Sequence, residues 1–244
     1  MPTPEILIYP TLEALQAAAA ERCAIILAER VAAQGRALLA ISGGTAPPGV
    51  FRHLCGAPLR EQVPWEHISV LWADERVVPF DHPASNYRQA RVTLLDHVPI
   101  PSLQVYPVAT YYGPTQAAAV YDRQVAALLE AHAGRLTLAL LGMGPDGHTA
   151  SLFPGFPQLD APPTALVLAV TGAPKPPPER VTLTAHALNR ADHVLFLVAG
   201  ADKAASVRAA LHGPDEPHTI PAQLVRPAQG RVVWMLDAAA AAQI

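Results

Sequence analysis

A mostly parallel β-sheet flanked by helices is the fold class the sequence predicts, as one α/β domain over residues 1–244. Three observations predict it. Apolar runs such as ALLAI (Ala37–Ile41) and DHVLFLVAG (Asp192–Gly200) are nearly continuous rather than alternating, as in strands buried on both faces. Stretches with helical spacing separate several of these runs. Glycine and polar clusters follow the carboxyl ends of the runs, where open α/β sheets bind ligands.

The elements follow in order. EILIYP, near the N-terminus, is a short apolar run with strand character. Thr11 offers an N-cap with Glu13 in the first turn. Leu12, Leu15, Ala19, Cys23, Ile26/Leu27 and Val31 then recur every three or four residues, one face of a long helix that Gly35 ends. Ala37–Ile41 is the next strand, and a helix can begin near Pro47 or Pro48. Ile68–Asp74 is a strand running into ERVVPFDHPASN. A helical stretch near Thr115–His132 precedes the strand Arg135–Gly142. GAPKPPPER (Gly172–Arg180) reads as an extended loop. Asp192–Gly200 is a strand followed by the helical ADKAASVRAAL, and Arg231–Asp237 is the last strand. No internal repeat or linker divides the chain.

Composition narrows the function. Hydrophobic residues make up 51% and charged residues 15%, which excludes a disordered chain. Net charge is −3 with no basic block, so nucleic acid is not an expected partner. No apolar run reaches the roughly 18 residues of a membrane span, and the first ten residues lack a secretory signal pattern. Cys23 and Cys55 lie apart in apolar sequence, as core thiols of a reducing compartment such as the cytoplasm.

Four clusters carry candidate chemistry. Ser42, Gly43, Gly44 and Thr45 between a strand and a helix read as an anion cradle or as an ordinary N-capping turn. The spacing matches neither a P-loop nor a dinucleotide fingerprint. Asp74, Glu75 and Arg76, with Ser85 and Asn86 downstream, read as a solvated ion-pair loop, or as Asp74 accepting from substrate hydroxyls and Arg76 binding an oxyanion. GPDGHTASLFP places Asp146 and His148 in one glycine turn. His148 is a general base there, a packed loop residue or a metal ligand, although no second histidine or cysteine stands at metal-ligand spacing. Arg180 and Lys203 are cations for a phosphate or simple surface charges; Lys203 is one of only two lysines, the other being Lys175.

Together these stretches resemble the glucosamine-6-phosphate isomerase/6-phosphogluconolactonase family, and within it the lactonases. The resemblance rests on SGGT (Ser42–Thr45), DER (Asp74–Arg76) with SN (Ser85–Asn86), LGMGPDGHTASLFPG (Leu141–Gly155), PPERVTLT (Pro177–Thr184) and GADKA (Gly200–Ala204). Ala46 departs from the family, which often has a second hydroxyl residue there. The resemblance implies a Rossmann-like α/β sheet shared with glucosamine-6-phosphate deaminase. It implies hydrolysis of 6-phospho-D-glucono-1,5-lactone with His148 as base and no required metal or cofactor. Asp146, Asp74 and Arg76 then assist catalysis; Ser42, Gly43, Gly44, Thr45, Asn86, Gly144, Arg180 and Lys203 bind substrate and its phosphate. The expected partner is the small-molecule substrate, on a monomer or weak homodimer.

Two other functions compete. The deaminases place a glutamate five residues after the turn histidine, where this sequence has Phe153. A non-catalytic sugar-phosphate sensor usually carries a helix-turn-helix, and the first residues here are spent on a strand and a core helix.

Overall fold

The computed structural model describes residues 4–244. Seven parallel strands form the main sheet: β1 (Glu5–Tyr9), β2 (Ala37–Ile41), β3 (Ile68–Trp72), β5 (Val105–Tyr106), β6 (Leu136–Leu141), β9 (Ala191–Val198) and β10 (Arg231–Asp237). Their spatial order is β1-β10-β9-β6-β2-β3-β5. Strands β2, β3 and β6 are buried at every position, as their unbroken apolar sequences predict. β5 is not expected from the sequence, because two residues are too few to show a period.

Helices cover this sheet. In α1 (Leu12–Gln34) Thr11 Oγ1 accepts from the Ala14 N–H at 3.1 Å, and Gly35 closes the helix at φ +76°, a left-handed conformation that suits glycine. Its predicted face, Leu15, Ala19, Cys23, Ile26 and Leu27, is buried against the strands. The other helices are α2 (Pro47–Leu54), α3 (Leu59–Gln62), α4 (Asn86–Ala90), α5 (Pro114–Ala131), α6 (Ala185–Leu188) and α7 (Ala204–His212).

One expectation is corrected. Ile68–Asp74 is not one strand. β3 stops at Trp72, whose N–H donates to Tyr121 Oη at 2.7 Å, and Ala73 bridges outward, donating to Ile41 O while accepting from Leu183 N. Asp74–Arg76 then forms β4, which joins β7 (Val167–Val170) and β8 (Arg180–Leu183) in a second, antiparallel sheet of order β4-β8-β7. The DER stretch is therefore a strand, not a loop. Register pairs Arg76 with Arg180 and Asp74 with Thr182 across it.

The order of strands locates the crevice. From β2 the chain steps outward through β3 and β5, then returns to the other side of β2 with β6, β9 and β10. The direction reverses between β2 and β6, and such a switch point opens a crevice at the carboxyl ends. The loops after β2 and β6 are Ser42–Thr45 and Gly142–His148.

Candidate active site

A cavity of about 410 Å³ lies at that switch point. Ser42, Gly43, Gly44, Thr45, Asp74, Arg76, Asn86, Gly144, His148, Arg180 and Lys203 all line it, so the clusters singled out in sequence converge. Asp146 stands behind His148 rather than on the wall.

The histidine turn is built from the end of β6. Gly144 N–H donates to His148 O at 2.9 Å and Gly147 N–H to Gly144 O at 3.0 Å. Thr149 Oγ1 donates to Gly142 O at 2.8 Å, and Ala222 N–H to Gly147 O at 2.9 Å. Gly147 adopts φ +79°, and a Cβ on Gly144 would overlap His148 Nδ1 and Asp146 Oδ1. Gly144 thus leaves room for the pair, while Gly147 serves the left-handed turn, where a Cβ would meet Ile220. The amides of Gly144 and Gly147 are consumed in closing the turn, so they are not the oxyanion donors that a glycine turn suggests.

His148 Nδ1 bonds Asp146 Oδ1. Burial disfavours ionisation of Asp146, but the hydrogen bond and charge of His148, with Lys175 at 3.8 Å, outweigh it and hold the carboxyl at about 2. The ionised carboxylate can only accept, so Nδ1 carries the proton, and in the neutral ring the lone pair is left to Nε2. The ring packs at 4.7 Å from the Phe153 ring, itself wholly buried and capped by the Arg180 guanidinium at 5.4 Å.

The remaining groups divide into committed and free. Asp74 accepts from Ser151 Oγ at 2.7 Å and from Asn86 Nδ2 at 3.4 Å, with Arg180 Nη1 at 3.8 Å. It thus holds the wall together and does not reach the imidazole as an orienting group, a place Asp146 fills. Arg180 is buried and donates to Pro177 O at 3.1 Å and Lys175 O at 2.9 Å. Lys203 Nζ donates to Ala199 O at 3.0 Å and meets Asp202 at 3.2 Å. Arg76 Nη1 donates to Ala84 O at 2.8 Å, while its Nε is buried without a partner among the described residues. Ser42 Oγ is orphaned in the same way. Buried polar atoms normally find partners, so two orphans on one wall suit a polar ligand.

The cradle after β2 differs from expectation in one respect. Pro47 and Pro48 open α2, so its first positions offer no N–H; Gly49 N–H bonds Ala46 O. Anion donors must come from the loop amides of Gly43–Thr45, which meet no protein acceptor among the described residues. Asn86 packs on Gly43 so closely that a Cβ would overlap its Oδ1. Sequence reasoning gave no individual role to Lys175, Asp202 or Glu75. Lys175 carried the one available signal, being half of the chain's lysine.

Four cationic side chains (Arg76, Lys175, Arg180, Lys203) face two carboxylates (Asp74, Asp202) across the cavity, a balance that favours an anion. Among the described residues no group of three or more His, Cys, Asp or Glu side chains is placed to hold a metal ion, and no helix is long and apolar enough to cross a membrane.

Residues 10–234 match the family described as glucosamine-6-phosphate isomerases/6-phosphogluconolactonase. The chain belongs to this family. It is 41% identical over 247 residues to 6-phosphogluconolactonase of Mycobacterium tuberculosis, covering 97% of both chains. The solved structure of 6-phosphogluconolactonase from Trypanosoma brucei superposes with a TM-score of 0.85 at 29% identity, over 99% of each chain. A monomeric glucosamine-6-phosphate deaminase shares the fold, with a TM-score of 0.83 at 21% identity over 98% of this chain and 100% of its own. The same fold thus carries a lactonase in one solved structure and a deaminase in another.

Proposed function

We propose that this protein hydrolyses 6-phospho-D-glucono-1,5-lactone to 6-phospho-D-gluconate, the lactonase step of the oxidative pentose phosphate pathway. The observation that carries the reading is the Asp146-held imidazole of His148, its Nε2 lone pair free at the wall of a cationic cavity. A lactone is an activated ester, so water needs only deprotonation and aim. His148 Nε2 takes a proton from water as the oxygen attacks C1. The carbonyl electrons move to the exocyclic oxygen, and their return breaks the bond to the ring oxygen. That oxygen takes the proton from the imidazolium, and the carboxylic acid sheds its own proton to solvent.

The phosphate binds the free amides of Gly43–Thr45 and the hydroxyls of Ser42 and Thr45, with Arg76, Arg180 and Lys203 supplying charge. Arg180 acts from a fixed place, because its donors already anchor neighbouring backbone. The remote phosphate provides binding energy that positions the ring. Phe153 favours this chemistry over deamination: an apolar ring, not a carboxylate, packs on His148. The same reading places the protein in the cytoplasm, as a monomer or weak homodimer acting on a small molecule.

Acid release from freshly prepared lactone, compared with the uncatalysed rate, tests the proposal. The expected result is rapid acid release, with no ammonia from glucosamine 6-phosphate. Ammonia at an enzymatic rate, or lactone loss no faster than in buffer, overturns it.

A further inference from the structure

Lys175 is the one cationic side chain of the cavity that lactone hydrolysis, as described, leaves without a task. Its surroundings are unusual for a loop lysine. Prolines occupy positions 174, 176, 177 and 178, each fixing its own φ. Ala173 N–H closes the loop onto Pro178 O at 2.9 Å. Arg180 then donates to both Lys175 O and Pro177 O from a buried guanidinium that also meets Asp74 and Ser151. The backbone carrying Lys175 is therefore pinned to the floor of the site. Its ammonium lines the cavity and lies 3.8 Å from Asp146 Oδ1, the oxygen that holds His148 Nδ1. The side chain remains 44% exposed, so it is neither packed away nor neutralised by burial.

Resting on the lactonase reading, we infer that Lys175 is a catalytic residue that meets the reacting carbonyl, stabilising the C1 oxyanion and then the C1 carboxylate of the product. The geometry assigns it to that end of the substrate because it shares a carboxylate with the imidazole whose other nitrogen activates water. When water attacks C1, negative charge develops on the exocyclic oxygen within reach of a cation near His148. A positive charge at that point favours the transition state over the neutral lactone. It also takes the part that the amides of Gly144 and Gly147 cannot play, since both bond within the turn. Lysine suits the task as a compact point charge on a flexible stem, able to follow the oxygen from trigonal to tetrahedral.

The test separates C1 from phosphate by using two ligands. 6-Phosphogluconate carries both a carboxylate and a phosphate; glucitol 6-phosphate carries the phosphate with a CH2OH in place of the carboxylate. Binding of each is measured by calorimetry to the wild type, Lys175→Met and Lys175→Arg. Lys175→Met is expected to weaken 6-phosphogluconate by about ten- to a hundredfold and to leave glucitol 6-phosphate within about twofold. Its kcat on the lactone falls about 10²–10³-fold, as for loss of an oxyanion donor, and Lys175→Arg recovers part of both. Equal weakening of the two ligands makes Lys175 a phosphate ligand and overturns the inference. Unchanged binding of both makes it a surface charge, which overturns the inference equally. A wild type that binds both ligands yet fails to hydrolyse lactone removes the lactonase reading itself.

Discussion

The His148 imidazole and the Asp146 carboxylate belong to one turn, two residues apart, and the carboxylate fixes which ring nitrogen carries the proton. With Asp146 held at about 2, it stays ionised through the neutral range and accepts only. Asp146→Asn keeps the shape but can donate an amide proton to Nδ1, which moves the ring proton to Nε2 and removes the base. The expected loss is about 10²–10⁴-fold in kcat, the usual worth of general base catalysis, with little change in 6-phosphogluconate binding. His148→Gln should lose a similar factor, and the double variant little more than either single one. Losses that multiply in the double variant would show that the two residues act independently.

Gly144 supports that pair by having no side chain. A Cβ there overlaps both His148 Nδ1 and Asp146 Oδ1. Gly144→Ala should leave the fold intact, since the nearest atoms it would meet belong to two side chains, His148 at the cavity wall and Asp146 behind it, rather than to backbone. It should lower kcat by more than about tenfold, by turning the ring off its water. A near-normal kcat with an unchanged melting temperature would mean the dyad tolerates displacement and that its placement is not critical.

How much of this was legible in the sequence differs by scale. The main parallel sheet and the convergence of its loops followed from unbroken apolar runs, because burial on both faces leaves no other pattern. The small sheet was hidden. Asp74–Arg76 and Arg180–Leu183 are charged or short, and their pairing joins residues far apart in the chain, such as Asp74 and Thr182. The roles of the charged residues were hidden for a related reason. Sequence shows that Arg180 and Asp74 are present; only the fold shows that one anchors the Lys175 loop and the other ties Ser151 to Asn86. The proline-rich stretch reads as an extended loop, and it is one up to Glu179, but proline removes the periodicity that could have shown how it packs against the site.

The phosphate supplies a prediction of its own. Lys203 already shares its charge with Asp202 and Ala199 O, so a phosphate adds a partner to a preset ammonium. Lys203→Ala should raise KM for the phosphorylated lactone by about ten- to a hundredfold, the range for a hydrogen bond to a charged group. Slow hydrolysis of unphosphorylated gluconolactone should barely change. Equal losses on the two substrates would make Lys203 a structural residue at the end of β9.

Glu75 gives the last prediction, on pH and stability. Its carboxylate is buried and accepts from the N–H groups of Arg76, Asn86 and Tyr87 at 2.7, 2.7 and 2.6 Å, tying β4 to the start of α4 and so placing Arg76 and Asn86. Burial, with the nearby charge of Asp74, outweighs those three donors and pushes the group up from 4.5 to about 7. Between those values the folded protein keeps a proton that the unfolded chain has released. Stability from this group is therefore full below 4.5, falls as pH rises towards about 7, and is flat above. The whole effect is at most about 3 kcal/mol. Glu75→Gln does not titrate. In urea unfolding, the stability of the wild type relative to Glu75→Gln should thus decline between 4.5 and about 7 and level off above. A difference constant over that range and lost only below about pH 4 would mean the three N–H donors win and Glu75 is ionised throughout. In that case its contribution to placing Arg76 and Asn86 is that of a permanent anion at the start of α4.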